Sequence, residues 1–133
     1  MIATLLGATS CGDEPDGQWA KMKWTNVNNL MNDQGVYYLP EDGGSYTFLC
    51  RNYEQPWIAS VTVDGVMQVI SNENRKEFNG EWFTLRFEGN KLIISAESLP
   101  ESVESRGFHL QVTAGDIFDT LLFSQQQNRY TLK

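Results

Sequence analysis

Apolar and polar residues alternate with a period of two along most of this chain. The segment 82–87 reads WFTLRF, so its phenylalanine and leucine residues fall on one side and Trp82, Thr84 and Arg86 on the other. This period is typical of a β-strand with one dry face and one wet face. The pattern predicts about seven to nine strands, in the segments 18–25, 35–39, 45–51, 57–63, 66–70, 82–87, 91–96, 108–113 and 117–124.

Turn signals separate the segments at intervals that suit an all-β domain. Glycine-containing pairs predict hairpins at Asp64–Gly65 and Gly89–Asn90, and the glycines at 43 and 44 predict a hairpin that pairs 45–51 back onto 35–39. The only candidate helix is short, near Asn28 to Asp33, and the polar segment 71–80 predicts a mobile loop. The last strand, 117–124, is almost continuously apolar, which predicts burial on both faces.

Strands of this number over one shared core predict an antiparallel β-sandwich. The predicted inward positions belong to aromatic residues with one leucine packed among them: Phe48, Trp57, Phe83, Leu85, Phe87 and Phe108. A closed barrel is the structural alternative, since Gly17-Gln18-Trp19 resembles the opening of lipocalins. That alternative implies a central cavity for an apolar ligand.

Length and charge limit the possible functions. The chain has 133 residues, which suits one domain over 18–133 that needs neither disulfide nor metal. Its formal net charge is −7 and its pI is about 4.6. Such a balance argues against nucleic acid as a partner and against adsorption to anionic lipid.

The first residues resemble the end of a bacterial lipoprotein signal peptide. Residues 1–11 are apolar and small and end in Ala8-Thr9-Ser10-Cys11, which resembles a lipobox whose cysteine receives the lipid. Only ten residues precede Cys11 and none is basic, so the signal peptide is partial. Residues 12–17 form an acidic tether that resembles a surface-export tag. The alternative is a cytosolic domain with an apolar N-terminus.

The second cysteine, Cys50, shares a predicted strand face with Tyr46 and Phe48. We interpret it as a small buried apolar residue. A reactive thiol is the alternative, but no histidine or lysine lies near it in sequence to lower its pKa.

Several segments together are similar to the BACON domain, a Bacteroidetes-associated, carbohydrate-binding, often N-terminal module. The resemblance covers about 35–126 and lies in Gly43–Phe48, Asn52, Pro56–Ile58, Asn90–Ser95, Arg106 and Thr120–Gln125. It implies an immunoglobulin-like β-sandwich in a secreted or surface-anchored protein, here an outer membrane lipoprotein that touches the membrane only through its lipid. It also implies a polysaccharide or glycoprotein glycan as partner. Spacer and protein-interaction roles in a surface complex remain the alternative functions.

No segment predicts catalysis or a cofactor. His109 is the only histidine and occupies an outward strand position, and no serine or cysteine has the setting of an activated nucleophile. The polar run at 72–74 does not follow the order of a calcium-binding loop. The sequence therefore predicts a protein that is not an enzyme and has no metal site.

Trp82 is the aromatic residue that does not fit the predicted core. It falls on the polar side of its strand beside Arg86, and we expect His109 nearby, so these three residues form the candidate glycan site. A flat ring with hydrogen-bonding neighbours suits a sugar. The alternative is that a loop or the segment 18–25 covers Trp82 as a second small core. We prefer that alternative, because large exposed apolar patches are uncommon.

Overall fold

The computed structural model describes residues 21–70, 73, 75–115 and 117–127. Within these residues every regular element is a strand, and there are eleven. They are β1 (Trp24–Asn26), β2 (Met31–Asp33), β3 (Val36–Leu39), β4 (Gly44–Cys50), β5 (Trp57–Val63), β6 (Val66–Gln68), β7 (Glu77–Asn79), β8 (Phe83–Glu88), β9 (Lys91–Ala96), β10 (Ser105–Thr113) and β11 (Phe118–Gln126).

The strands form two sheets. The five-stranded sheet has the order β1-β4-β9-β8-β7, and the six-stranded sheet has the order β2-β3-β11-β10-β5-β6. All pairs are antiparallel except β3 with β11, which run parallel. The predicted immunoglobulin-like sandwich is confirmed. The closed barrel is wrong, because each sheet ends in edge strands and aromatic rings fill the space between the sheets.

The core lies between the inner faces of the two sheets. Phe83 of one sheet stacks on Phe108 of the other at 3.8 Å between ring centroids and 3° between planes. Phe123 continues the stack at 5.0 Å from Phe108. The predicted inward positions Phe48, Phe83, Leu85, Phe87 and Phe108 are all buried.

Trp57 is the predicted core residue that the fold places elsewhere. It is only half-buried, and its neighbour Ile58 is buried instead. Along β10, Gln111 pairs with Ser60 but Val112 pairs with Ile58, so Ala59 is an extra residue in β5. A bulge of this kind changes by one residue which side chains of the strand face the core. Alternation in the sequence does not mark its position.

Two of the predicted connections contain strands. The helix predicted near Asn28 to Asp33 is wrong, because Met31–Asp33 form β2 beside β3. The mobile loop predicted over 71–80 is also wrong in its second half, where Glu77–Asn79 pair with β8. In both cases a short polar strand lies at a sheet edge, where one hydrogen-bonded neighbour is enough to order it.

The link between β3 and β4 is not the predicted hairpin. β3 belongs to the six-stranded sheet and β4 to the five-stranded sheet, so the chain crosses between layers. Gly43 makes this crossing possible with φ of +78°, and a Cβ atom there would meet the carbonyl oxygen of Ala96 at 2.5 Å. Gly43 therefore allows the close approach of two backbone segments.

The burial predicted for both faces of the last strand is wrong. In β11 the buried residues Leu121, Phe123 and Gln125 alternate with more exposed ones, and Phe118 is 56% exposed. The outer face of a two-layer sandwich has no third layer to cover it. An apolar run in such a strand therefore leaves some large side chains at the surface.

The other predicted turns and the buried cysteine are confirmed. Asp64–Gly65 joins β5 to β6 with positive φ at both residues, and Gly89–Asn90 joins β8 to β9. Cys50 is fully buried, and its thiol lies 3.7 Å from the Asn52 side-chain oxygen.

The predicted lipidation residue Cys11, the rest of the partial signal peptide and the acidic tether 12–17 lie outside the described residues. Among the residues that the structure describes, no helix has the length and apolar character needed to cross a bilayer.

Candidate functional site

Trp82 does not form an exposed platform. It lies just before β8, is 8% exposed and packs against Phe83 at 4.8 Å and Phe108 at 5.7 Å between ring centroids. The interpretation of Trp82 as an exposed sugar-binding ring is therefore wrong. The ring is covered, as in the alternative interpretation, but it belongs to the main core and not to a second one.

Arg106 is the residue that seals Trp82. Its guanidinium lies 4.3 Å from the centroid of the indole ring, within the range of a cation–π contact. The same guanidinium donates to Gln125 Oε1 at 2.7 Å and to the carbonyl oxygens of Glu97 and Ser98. Burial lowers the pKa of Arg106, with Glu97 opposing the shift. An arginine with this many partners inside the fold is structural.

Gln125 completes this arrangement, which we call the Arg106 lock (Trp82, Arg106, Gln125 and the backbone at Pro40 and Glu97). Gln125 is fully buried, and its amide nitrogen donates to the Pro40 carbonyl at 3.0 Å and to the Glu97 carbonyl at 2.8 Å. A buried amide with all these partners is satisfied. The chain crosses between the sheets after β3, at Pro40, and again after β9, at Glu97. The lock therefore ties the end of β11 to both crossings.

The other two predicted site residues lie on opposite outer faces of the sandwich. Arg86 is exposed on the five-stranded sheet, where it pairs with Glu88 at 2.8 Å. His109 is exposed on the six-stranded sheet, with Thr62 and Leu122 as its cross-strand neighbours. The fold does not bring Trp82, Arg86 and His109 together, because Trp82 is buried and the strands of Arg86 and His109, β8 and β10, belong to different sheets.

A groove that no predicted residue marks lies at the same end of the sandwich as the Arg106 lock. This end groove has a volume of about 690 Å³, within the range of about 300–1,000 Å³ that small-molecule sites occupy. It is lined by β2 and the loop before it, by the end of β3 and the turn that follows, by Tyr46 of β4, and by the chain at the end of β11. Its two aromatic rings belong to Tyr38 and Tyr46, and its polar lining includes Asn28, Asn29, Asp33, Glu41, Asp42, Gln126 and Gln127.

The loop that forms one wall of the end groove is held by its own asparagines. Asn26 accepts from the Leu30 backbone N–H at 3.0 Å and donates to the Leu30 carbonyl at 2.8 Å. Asn28 accepts from the Thr47 backbone N–H at 2.8 Å, which joins the loop to β4. These bonds replace the helical hydrogen bonds predicted here, because asparagine side chains compete well for nearby backbone groups.

The two tyrosines of the groove differ in their surroundings. The Tyr46 hydroxyl donates to the Gly43 carbonyl, and burial, with help from Asp42, raises the Tyr46 pKa. Tyr38 follows Tyr37 in β3, and Tyr37 packs into the core at 4.7 Å from Phe48. Alternation therefore turns Tyr38 outward, where it remains half-buried beside the groove.

A second depression lies on the outer face of the six-stranded sheet, and we call it the face depression. Its volume is about 490 Å³, and Gly107, which has no side chain, lies among its lining residues. Ser124 stands directly opposite Gly107 in the neighbouring strand. Tyr38, Thr62, Asp64, His109, Leu122 and Gln126 also line it. His109 is therefore the predicted residue that does reach a concave surface.

One feature of the sequence does indicate an aromatic residue at the end groove. In a strand with one buried face, consecutive tyrosines such as Tyr37 and Tyr38 cannot both point inward. One of them must lie on the outer face, which identifies an aromatic surface residue. No comparable signal marks the loop residues, since their approach to Tyr38 depends on how the two sheets pack.

The described lining residues of the end groove do not form a metal centre. Across the described parts of the chain, no group of three histidine, cysteine or acidic side chains is arranged to hold a metal ion. The end groove combines aromatic faces with amide and carboxylate groups, which can accept and donate hydrogen bonds to a polyhydroxylated ligand.

Comparison with protein-family models and with curated proteins yields no match. Among solved structures, the NMR structure of a protein from Bacteroides thetaiotaomicron is similar, with a TM-score of 0.73 and 33% sequence identity. The alignment covers 88% of this chain and 96% of that one. The M1 domain from titin is similar in fold alone, with a TM-score of 0.50, 10% identity and coverage of 83% and 97% of the two chains.

Identity at this level over almost the whole of the Bacteroides protein goes beyond a shared architecture. The chain belongs to the same protein family as that Bacteroides thetaiotaomicron protein.

Proposed function

We propose that this protein is a non-catalytic glycan-binding domain of the BACON type, anchored at the outer membrane through a lipid on Cys11. The observation that carries the binding proposal is the end groove, in which the rings of Tyr38 and Tyr46 lie among amide and carboxylate side chains. Sugars present an apolar C–H face and a rim of hydroxyl groups, so a site for them needs both kinds of surface. The resemblance of residues 35–126 to BACON domains supports the same proposal.

Affinity electrophoresis through gels that contain a polysaccharide tests this function. We expect at least one of starch, galactomannan, xylan or laminarin to retard the protein. Tyr38→Ala should weaken that binding about tenfold, equivalent to about 1.4 kcal/mol, because it removes the outward ring of the groove. Arg86→Ala is the matched control, since Arg86 lies on the opposite outer face, and it should leave the retardation unchanged. Retardation that Tyr38→Ala does not alter would exclude the end groove.

The anchor is tested separately in a Bacteroides host. The wild-type protein should incorporate labelled palmitate and sediment with outer membranes, whereas Cys11→Ser should do neither. Cys50→Ser is the control, because Cys50 is fully buried in the core and cannot receive a lipid there. Labelling of the Cys11→Ser protein would contradict the assignment of Cys11 as the lipidated residue.

A second candidate function, docking of a protein partner, is favoured by the outer edge of the six-stranded sheet. Its edge strand β6 exposes Val66 at 61% and Met67 at 68%, and Val69 just beyond it at 85%. An edge strand also presents unpaired backbone N–H and C=O groups to which another strand can bind. Such an edge suits an interaction subunit of a surface complex.

Crosslinking in intact cells tests this second function. A partner captured by the wild-type protein should be lost in Met67→Lys, because a charge on β6 opposes apolar docking. Val27→Lys is the matched control, since Val27 is 49% exposed but lies far from β6, in the loop after β1. Equal capture by both variants would reject β6 as the docking edge.

A further inference from the structure

The end groove and the face depression are adjacent on the surface of the molecule. Tyr38 and Gln126 line both of them, so these two side chains form the boundary that the concave surfaces share. The end groove has about 690 Å³ and the face depression about 490 Å³, and each alone is large enough for a small ligand. A ligand that contacts both is longer than one that fills either, and it must pass over Tyr38.

Charge restricts the kind of ligand that suits this surface. Asp33 and Asp42 line the end groove, and neither lysine nor arginine is among its described lining residues. The face depression does include Arg106, but that guanidinium already binds Gln125 and two backbone carbonyls. Carboxylates such as those of Asp33 and Asp42 repel uronate and sulfate groups. The surface therefore favours an uncharged chain.

Both concave surfaces are held in place by the fold. Asn26 and Asn28 fix one wall of the end groove through backbone hydrogen bonds. The floor of the face depression is strand backbone, where Gly107 lies against the Phe123 carbonyl in the neighbouring strand. A preformed surface of this kind loses little entropy when a ligand binds, so each added sugar contact contributes to affinity.

We infer that the glycan bound by this domain is an extended, uncharged chain that runs from the end groove across Tyr38 into the face depression. This inference rests on the proposed glycan-binding function and adds two properties to it. The domain binds internal stretches of a polymer and not single terminal sugars, and it discriminates against acidic polysaccharides.

Calorimetric titration with oligosaccharides of one to six units tests the length of the site. The oligosaccharides come from whichever neutral polysaccharide retards the protein. Affinity should rise at least tenfold between two and five units, because only the longer chains reach both surfaces. Equal affinity for short and long chains would overturn the extended site and leave glycan binding itself intact.

The variant Ser124→Phe separates the two surfaces. A phenylalanine at this position covers Gly107 across the strand pair, and such an aromatic cover does not weaken a sheet. We expect it to abolish the gain from longer chains and to leave affinity for two units unchanged. Thr84→Phe, an equivalent change at an exposed position of the other sheet, is the control. An unchanged gain in Ser124→Phe would overturn the path across the face depression.

Two further measurements, of amide chemical shifts and of binding to acidic polysaccharides, complete the test. Amide chemical shifts of the wild-type protein should move at Gly107 and His109 with five units but not with two, which does not depend on how the variant folds. Polygalacturonate, chondroitin sulfate and heparin should cause no retardation, and binding to any of them would overturn the preference for uncharged chains. If neither neutral nor acidic polysaccharides bind, the proposed function itself fails.

Discussion

Trp82 and Tyr38 are two large aromatic residues with polar neighbours, and the fold uses them in opposite ways. Trp82 is 8% exposed beneath Arg106, whose donors bind Gln125 and two backbone carbonyls. Tyr38 lies on the outer side of β3, between two concave surfaces lined by carboxylate, amide and hydroxyl groups. Trp82 is therefore part of the core, whereas Tyr38 lies beside two concave surfaces where a ligand fits.

The contrast shows what separates a structural aromatic residue from a binding one. Both Trp82 and Tyr38 have polar neighbours in sequence, which suggests a binding surface around each ring. Whether a ligand can bind there depends on whether those polar groups already have hydrogen-bond partners inside the protein. A polar group already satisfied inside the protein gains nothing from a ligand, and breaking its bonds costs free energy. Around Trp82 the polar groups of the Arg106 lock are satisfied within the fold.

The strongest test of this contrast is Trp82→Ala. Removal of a buried indole from the Phe83 and Phe108 contacts should lower the free energy of unfolding by about 3–5 kcal/mol. Urea denaturation followed by circular dichroism measures the change. A loss below about 1 kcal/mol would mean that the ring is exposed in solution, and Trp82 would again be a candidate sugar platform.

Gln125→Ala should produce the next largest effect. It leaves the Arg106 Nε–H without its acceptor. It also removes one of two donors from the Pro40 carbonyl, which keeps the Gly43 N–H, and from the Glu97 carbonyl, which keeps Arg106. The loss of these bonds should cost about 1–3 kcal/mol of unfolding free energy. Gln126→Ala is the control at the neighbouring exposed position, with an expected change within about 0.5 kcal/mol. Equal effects of both substitutions would show that the lock contributes nothing to stability.

Tyr38→Ala should have a small effect on stability, within about 1 kcal/mol, because its side chain lies outside the core. The same denaturation experiment measures it, and Tyr37→Ala serves as the comparison. Tyr37 packs against Phe48 and Phe123, so its removal should cost several times more. A large loss in Tyr38→Ala would make this residue structural, like Trp82.

The smallest expected effect is a dependence of stability on alkaline pH. Burial, followed by the charges of Asp119 and Asp42 respectively, raises the pKa values of Tyr37 and Tyr46 in the folded state. Their contribution to stability is therefore complete below the unfolded-state pKa of about 10 and is lost as pH rises through the folded pKa.

Denaturation midpoints measured between about pH 9 and 11 should fall with rising pH, and Tyr46→Phe should make that fall shallower. Asp42→Asn removes the carboxylate charge that helps to raise the Tyr46 pKa but keeps the phenol, so its effect should be smaller than that of Tyr46→Phe. A fall that neither Tyr46→Phe nor Tyr37→Phe reduces would contradict the raised pKa values.

Much of the fold could be predicted from local pattern. Alternation identified β8 and β10 and the inward positions Phe48, Phe83, Leu85, Phe87 and Phe108, because a period of two is a local property of each strand, and apolar runs identified β9 and β11. The turns at Asp64–Gly65 and Gly89–Asn90 were equally readable from their glycines. The pattern failed at Ala59, where a bulge changes the phase of β5 without a mark in the sequence.

The candidate site could not be predicted in the same way. Arg86 and His109 lie on strands that belong to different sheets, and only the order of strands reveals that they face away from each other. The residues around Tyr38 come from the loop before β2, the turn after β3 and the end of β11. No spacing along the chain relates these three segments.

The sequence alone thus determined that this chain forms strands, which of their faces are apolar and which residues turn the backbone, since these properties depend on neighbours in the chain. The tertiary structure decided that Trp82 is sealed and Tyr38 is not. That difference arises from contacts between residues far apart in sequence, such as Gln125 with Pro40, which exist only once the two sheets have packed.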